Sequence, residues 1–138
     1  MDLPIGLRLA RTARLVTHAL ERALLDAGGS SATWQVLLMV RSRQWDTQSQ
    51  MAEAMGITGA TLSHHLNAME AQGLIRRRRE AGNRRVQRVE LTEDGIAMLD
   101  RLREVVAAHD WWLRSTLSDA EVEQLGELLD RLEAAVAP

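Results

Sequence analysis

"TQSQMAEAMGITGATLSHHLNAMEAQGLI", residues Thr47 to Ile75, holds two short amphipathic segments around one glycine. Thr47 is followed three positions later by Gln50, a capping box in which each residue satisfies an orphan amide of a helix's first turn. That helix is predicted to end near Met55. Gly56 can adopt the left-handed conformation that closes it, and Thr58 then offers an N-cap oxygen to a second helix running to about Gln72. At about 100° per residue, Leu66 and Met69 fall within about 40° of Leu62, so these three face a core while Ala60, His64 and Asn67 point outward, flanked by Thr61 and Ser63. The exposed N-terminal half of this helix thus offers small or hydrogen-bonding groups and no carboxylate to repel a phosphate. Ala52, Met55, Ile57 and Leu62 supply the apolar contacts that lock one helix across the other. The pair reads as a helix-turn-helix, whose second helix can enter a major groove.

Downstream, Gly73 stops the helix, Leu74 to Arg79 and Arg85 to Leu91 read as strands, and Ala81, Gly82 and Asn83 form the turn between them. This hairpin is strongly basic. From Arg76 to Arg88 there are seven arginines against Glu80 alone, a local charge of +6 in a chain of net charge −2, so the remainder carries −8. All 17 basic residues are arginine. Such a split points to a localised contact with a polyanion, because attraction depends on where charge sits. Arg76 to Arg79 alternate along a strand, so two of the four face phosphate, taken as Arg77 and Arg79, and two lie on the far side. A basic wing directly after a helix-turn-helix places arginines beside a duplex whose charges recur every ~1.7 Å along its axis.

The flanks are helical. Leu9, Ala13, Val16, Leu20, Ala23 and Leu24 make a buried stripe on a first helix spanning Leu3 to Ala27, closed by Gly28 and Gly29. A second helix runs from Ala32 to Ser42 behind Ser30 and Ser31, burying Val36, Leu37, Met39 and Val40. Thr92 caps a long fifth helix bearing Ile96, Leu99, Leu102, Val106 and Leu113, and Ser118 with Glu121 boxes a sixth lined by Val122, Leu125, Leu129, Leu132 and Val136. The expected fold is mainly α with a small β-hairpin wing, in one domain's length of 138 residues. The first, fifth and sixth helices carry more apolar stripe than a winged domain of about 60 residues could cover, so they call for a second copy.

Several function classes are excluded. Zero cysteines remove disulfides, thiolate metal sites and thiol nucleophiles. No apolar run approaches the roughly 20 residues of a bilayer span, and the N-terminus lacks the layout of a secretory signal, so no membrane partner and a soluble, cytoplasmic chain are expected. Ser63, His64 and Glu70 share one helix and cannot converge as a triad, and no phosphate-binding glycine loop or paired-carboxylate pattern stands out, so no enzyme and no cofactor are expected. His64 and His65, neighbours about 100° apart, cannot easily chelate one ion. His18 and His109, near the expected dimer interface, read as hydrogen-bonded interface histidines rather than zinc ligands with Asp110 or Glu21. No metal site is assigned.

"SATWQVLLMV", the block from Thr47 to Ile75 and "NRRVQRVELTEDG" resemble the MarR family of bacterial transcriptional regulators over essentially the whole chain. The resemblance implies a winged helix-turn-helix over residues 30–92, with residues 1–29 and 93–138 as dimerisation helices. It further implies an obligate homodimer on pseudo-palindromic operator DNA, a repressor relieved by a small ligand. Carried over by position, the major-groove contacts are Thr58, Gly59, Ala60, Thr61, Ser63, His64 and Asn67, and the wing contact is Arg84 or Arg85. The family commonly has an aspartate before the wing arginines where this chain has Asn83, which weakens a carboxylate clamp there and leaves the choice of arginine open. The family's cleft between dimer helices and winged domain makes Trp34 and Trp112, with Arg11, Arg14 and His18, the candidate contacts to a small anionic or aromatic effector. The alternative is a winged-helix interaction module whose arginines meet an acidic protein.

Overall fold

Thr47 Oγ1 accepts the Gln50 amide at 3.2 Å and the Thr47 amide donates back to Gln50 Oε1 at 3.3 Å, the reciprocal box its sequence predicts. It opens α3 (Gln48–Met55), the third of six helices among the described residues of a computed structural model. The model describes residues 2–43, 45, 47–80 and 83–138, with side chains for all but 79, 80 and 83–87. The described elements are α1 (Ile5–Asp26), α2 (Ser31–Ser42), α3, α4 (Gly59–Ala71), β1 (Ile75–Glu80), β2 (Asn83–Leu91), α5 (Glu93–Ser115) and α6 (Asp119–Val136). The fold is mostly helical with one antiparallel hairpin, as expected.

Side chains at the predicted positions set the helix starts. Ser30 Oγ accepts the Thr33 amide, Thr58 Oγ1 that of Thr61, and Ser118 Oγ that of Glu121, whose carboxylate returns to the Ser118 amide at 2.9 Å. The Ser31 amide is met from outside its helix, by Glu21 of α1 at 3.0 Å, which ties α1 to the start of α2. Helices α3 and α4 stop alike, with Gly56 at φ 70° and Gly73 at φ 77°, so that Ile57 and Leu74 donate back to Ala52 and Met69. Only a residue without Cβ takes that conformation cheaply.

The chain divides into two compact units, Met1–Val105 and Val106–Pro138. In the first, α2 is central and touches α1, α3, α4 and β2. Its core holds Leu24, Val36, Leu37, Met51, Ala52, Leu62, Leu66, Met69, Leu74, Ile75, Leu99 and Leu102, all nearly or fully buried. Helix α1 and the first turns of α5 therefore pack with the winged elements through Leu24, Leu99 and Leu102, and the division between the two units falls inside α5. Of the stripe predicted for α1, Leu9 and Ala13 are exposed in the single chain, Val16, Leu20 and Ala23 are half-buried and Leu24 is buried, while Leu125, Leu129, Leu132 and Val136 of α6 are exposed.

The hairpin departs from expectation in one respect. Ile75 to Arg79 pair in register with Leu91 to Gln87, and the ladder then jumps to Glu80 opposite Asn83. Asn83 therefore belongs to β2, because it has a cross-strand partner, and Arg84 and Arg85 fall in the irregular stretch between the paired positions Asn83 and Gln87. Ala81 and Gly82, also assigned to the turn, lie outside the described residues.

Candidate nucleic-acid interface

Helix α4 buries Leu62 and Leu66 completely and Met69 almost so, and that single stripe decides what faces out. Thr58, Gly59, Ala60, Thr61, His64 and Asn67 are exposed, and Ser63 and His65 are half-buried. Thr58 Oγ1 accepts the Thr61 amide at 3.1 Å and donates to Thr61 Oγ1 at 2.9 Å, so two of the outward groups are held together. The first turn carries no acidic side chain, leaving the positive end of the helix dipole uncompensated. The first carboxylate on α4 is Glu70, in its last turn.

Glu70 is occupied by the wing. Its Oε2 accepts the backbone amide of Arg77 at 3.0 Å and Arg77 Nε at 3.5 Å, and its Oε1 lies 3.2 Å from Arg77 Nη2. The same Nη2 donates to Asn67 Oδ1. Hydrogen bonds from the Arg77 side chain and then from its backbone hold the Glu70 carboxyl below the usual carboxylate range. Strand alternation explains the direction: Ile75 is buried, Arg77 shares its face and lies against α4, while Arg76 and Arg78 are exposed on the other face. Expected on the phosphate side, Arg77 is thus turned back onto the reading helix. Arg78 sits 3.8 Å from Glu90 across the hairpin and opposite Arg88 in register. The side chains of Arg79, Asn83, Arg84 and Arg85 lie outside the described residues.

The corner joining α4 to the wing is fastened to α5. Thr92 Oγ1 donates to the Gly73 carbonyl at 2.6 Å, the Thr92 amide to the Leu74 carbonyl at 3.1 Å, and Gly95's amide donates back to Thr92 Oγ1 at 3.0 Å. A Cβ at Gly95 would stand 2.0 Å from the Leu74 oxygen, so backbone meets backbone there. This clamp holds reading helix and wing in one mutual orientation.

The candidate effector residues are not drawn into one described cluster. Arg11 lines a shallow exposed groove with Arg8 and Leu15, and Arg14 and His18 are exposed on α1. Trp34 is half-buried in α2, its indole nitrogen buried without a hydrogen-bond partner among the described residues. In the second unit, Trp112 is 54% exposed, its ring 5.9 Å from that of His109, whose Nε2 is also unmatched. Sequence reasoning missed an open cleft of about 940 Å³ in the first unit, lined by Arg41, Arg43, Trp45, Met51, Arg88 and Ile96 among others. Clustered arginines around one tryptophan were its only trace in the sequence. Among the described residues no three His, Asp or Glu side chains converge as metal ligands, and no helix is long and apolar enough to cross a membrane.

The MarR family model matches residues 27–86. Transcriptional regulator PA3341 is 29% identical, with a TM-score of 0.76 over 96% of this chain and 98% of that one. The transcriptional repressor CouR, bound to a 23-mer DNA duplex, is 25% identical, with a TM-score of 0.81 over 96% of this chain and 99% of that one. The S. aureus MepR–DNA complex, at 22% identity, shares the fold with a TM-score of 0.83 over 98% of this chain and all (100%) of that one. The family model spans the helix-turn-helix and most of the wing, so residues 27–86 are similar to the MarR family, and the architecture of these solved regulators extends over nearly the full length of the chain.

Proposed function

We propose that this chain is a homodimeric, sequence-specific DNA-binding transcriptional regulator of the cytoplasm, a repressor relieved by a small ligand. The observation that carries the proposal is the pairing of a carboxylate-free, exposed N-terminal half of α4 with an arginine-rich hairpin clamped to the same corner. In this reading Thr58, Gly59, Ala60, Thr61, Ser63, His64 and Asn67 face base edges and adjoining phosphates. Arg79, Asn83, Arg84 and Arg85 engage the backbone and minor groove. Residues 30–92 do the reading, and residues 1–29 and 93–138 join two copies whose reading helices stand about 34 Å apart, one turn of duplex. Exposed Leu7, Leu9 and Leu15 on α1, and Leu125, Leu128 and Leu132 on α6, support that pairing, since a chain alone would leave them wet.

Support for an effector is chemical. The buried indole N–H of Trp34 has no acceptor among the described residues, and arginines such as Arg11 and Arg14 suit an anionic or aromatic ligand. CouR from Rhodococcus jostii RHA1 has been solved with p-coumaroyl-CoA, a ligand of that class.

Selection of bound sequences from random duplex DNA, followed by a salt titration, tests the proposal. A pseudo-palindrome is expected, with affinity falling steeply as salt rises. Arg84→Ala with Arg85→Ala weakens binding to all duplexes, whereas His64→Ala chiefly relaxes sequence preference. No affinity for any duplex at low ionic strength would transfer the basic hairpin to an acidic protein partner.

A further inference from the structure

We propose that Arg77 is a positioning residue that makes Asn67 a hydrogen-bond donor only, so that α4 selects guanine at the base Asn67 meets. The inference rests on the DNA-binding reading above and adds a rule for one base pair.

An unconstrained asparagine presents a carbonyl and an amino group side by side, and so matches adenine, whose major-groove edge offers the N6 donor beside the N7 acceptor. Asn67 is not unconstrained. Its Oδ1 accepts from Arg77 Nη2, and the orientation of the amide is chemically forced, because a guanidinium has donors and no acceptor. Were the amide reversed, two donors would face one another. The remaining Nδ2 carries two N–H groups with no partner among the described residues, on an exposed side chain. Adenine's N6 amino group would oppose it donor to donor, whereas guanine presents two adjacent acceptors, O6 and N7.

The arrangement is built to persist. Arg77 cannot easily swing to a phosphate, since the Glu70 carboxylate grips it through Nε and Nη2, and accepts its backbone amide as well. Its side chain is only 20% exposed. One guanidinium thus spans the two outward polar residues of the second half of α4, and links the wing strand to the base-reading face.

The test compares base preferences of the full chain and its variants in selections from random duplex DNA, together with the salt dependence of binding. The wild type is expected to show guanine at one position of each half-site, and Asn67→Ala to lose preference at that position alone. Arg77→Met, which keeps an aliphatic stem but releases Oδ1, should move that position toward adenine, changing guanine-over-adenine discrimination about tenfold, the low end of one good base-edge contact. The salt slope should not change. Should Arg77→Met fold poorly, Arg77→Ala, which likewise removes the donor from Oδ1, is expected to give the same shift. An unaltered preference in the folded variant overturns the proposal. So does equal loss on all sequences with a shallower salt slope, the mark of a phosphate contact. A wild type that selects no duplex at all overturns the DNA-binding reading itself, a result separable from the other two.

Discussion

Gly95 shows how a single hydrogen can be a structural requirement. Its Cα faces the Leu74 carbonyl in a space where a methyl group would sit 2.0 Å from oxygen, and the obstacle is backbone, which cannot rotate away. Gly95→Ala is therefore expected to cost at least the ~1–3 kcal/mol typical of overpacking, read as a lower urea midpoint, although alanine favours helices elsewhere. Glu70 offers a second check. Its carboxyl is lowered by Arg77, so the stabilisation it gives is present above the ordinary carboxylate range and fades as pH falls through the lowered value. In an NMR titration its midpoint should lie below that of an ordinary glutamate and rise only part of the way back in Arg77→Met, where the backbone amide still donates to the carboxylate. Neither feature was legible in the sequence. Four consecutive arginines look alike until the burial of Ile75 sets which of them share its face, and the condition at Gly95 depends on a carbonyl twenty-one positions away.

Elements were more legible than contacts, because their ends are decided locally. The caps at Ser30, Thr47, Thr58 and Ser118 and the stops at Gly56 and Gly73 need only a few neighbouring residues, and each lies where side-chain chemistry puts it. The hairpin register needs two strands to find one another, and the jump between Arg79 and Glu80 left no mark in the alternation. Two substitutions separate capping from packing in α4. Thr58→Ala should cost about 1 kcal/mol of stability by leaving the Thr61 amide without its acceptor. Leu66→Ala, at a fully buried site, should cost about 2–5 kcal/mol. Chemical denaturation ranks the pair, and a Thr58 effect as large as that of Leu66 would contradict the assignment of α4's core stripe.

For the whole molecule, the apolar stripe of α6 is left exposed by the single chain, as its periodicity suggested, whereas the division between the two compact units inside α5 had no sign in the sequence. That boundary depends on how far Leu99 and Leu102 are drawn into the first unit's core, which periodicity cannot say. If α6 joins two copies, Leu125→Glu with Leu132→Glu should sediment at the mass of one chain and bind operator much more weakly, with little loss of helical signal, since both residues are already exposed in the single chain. A variant that remains double in mass would place the association elsewhere. The threefold fastening of Thr92 and Gly95 to the corner between α4 and β1 has a bearing on control. A probe welded at its elbow has no joint of its own to bend, so in the proposed pair a signal that frees the operator would act on the gauge between two jaws and leave the teeth of each unchanged.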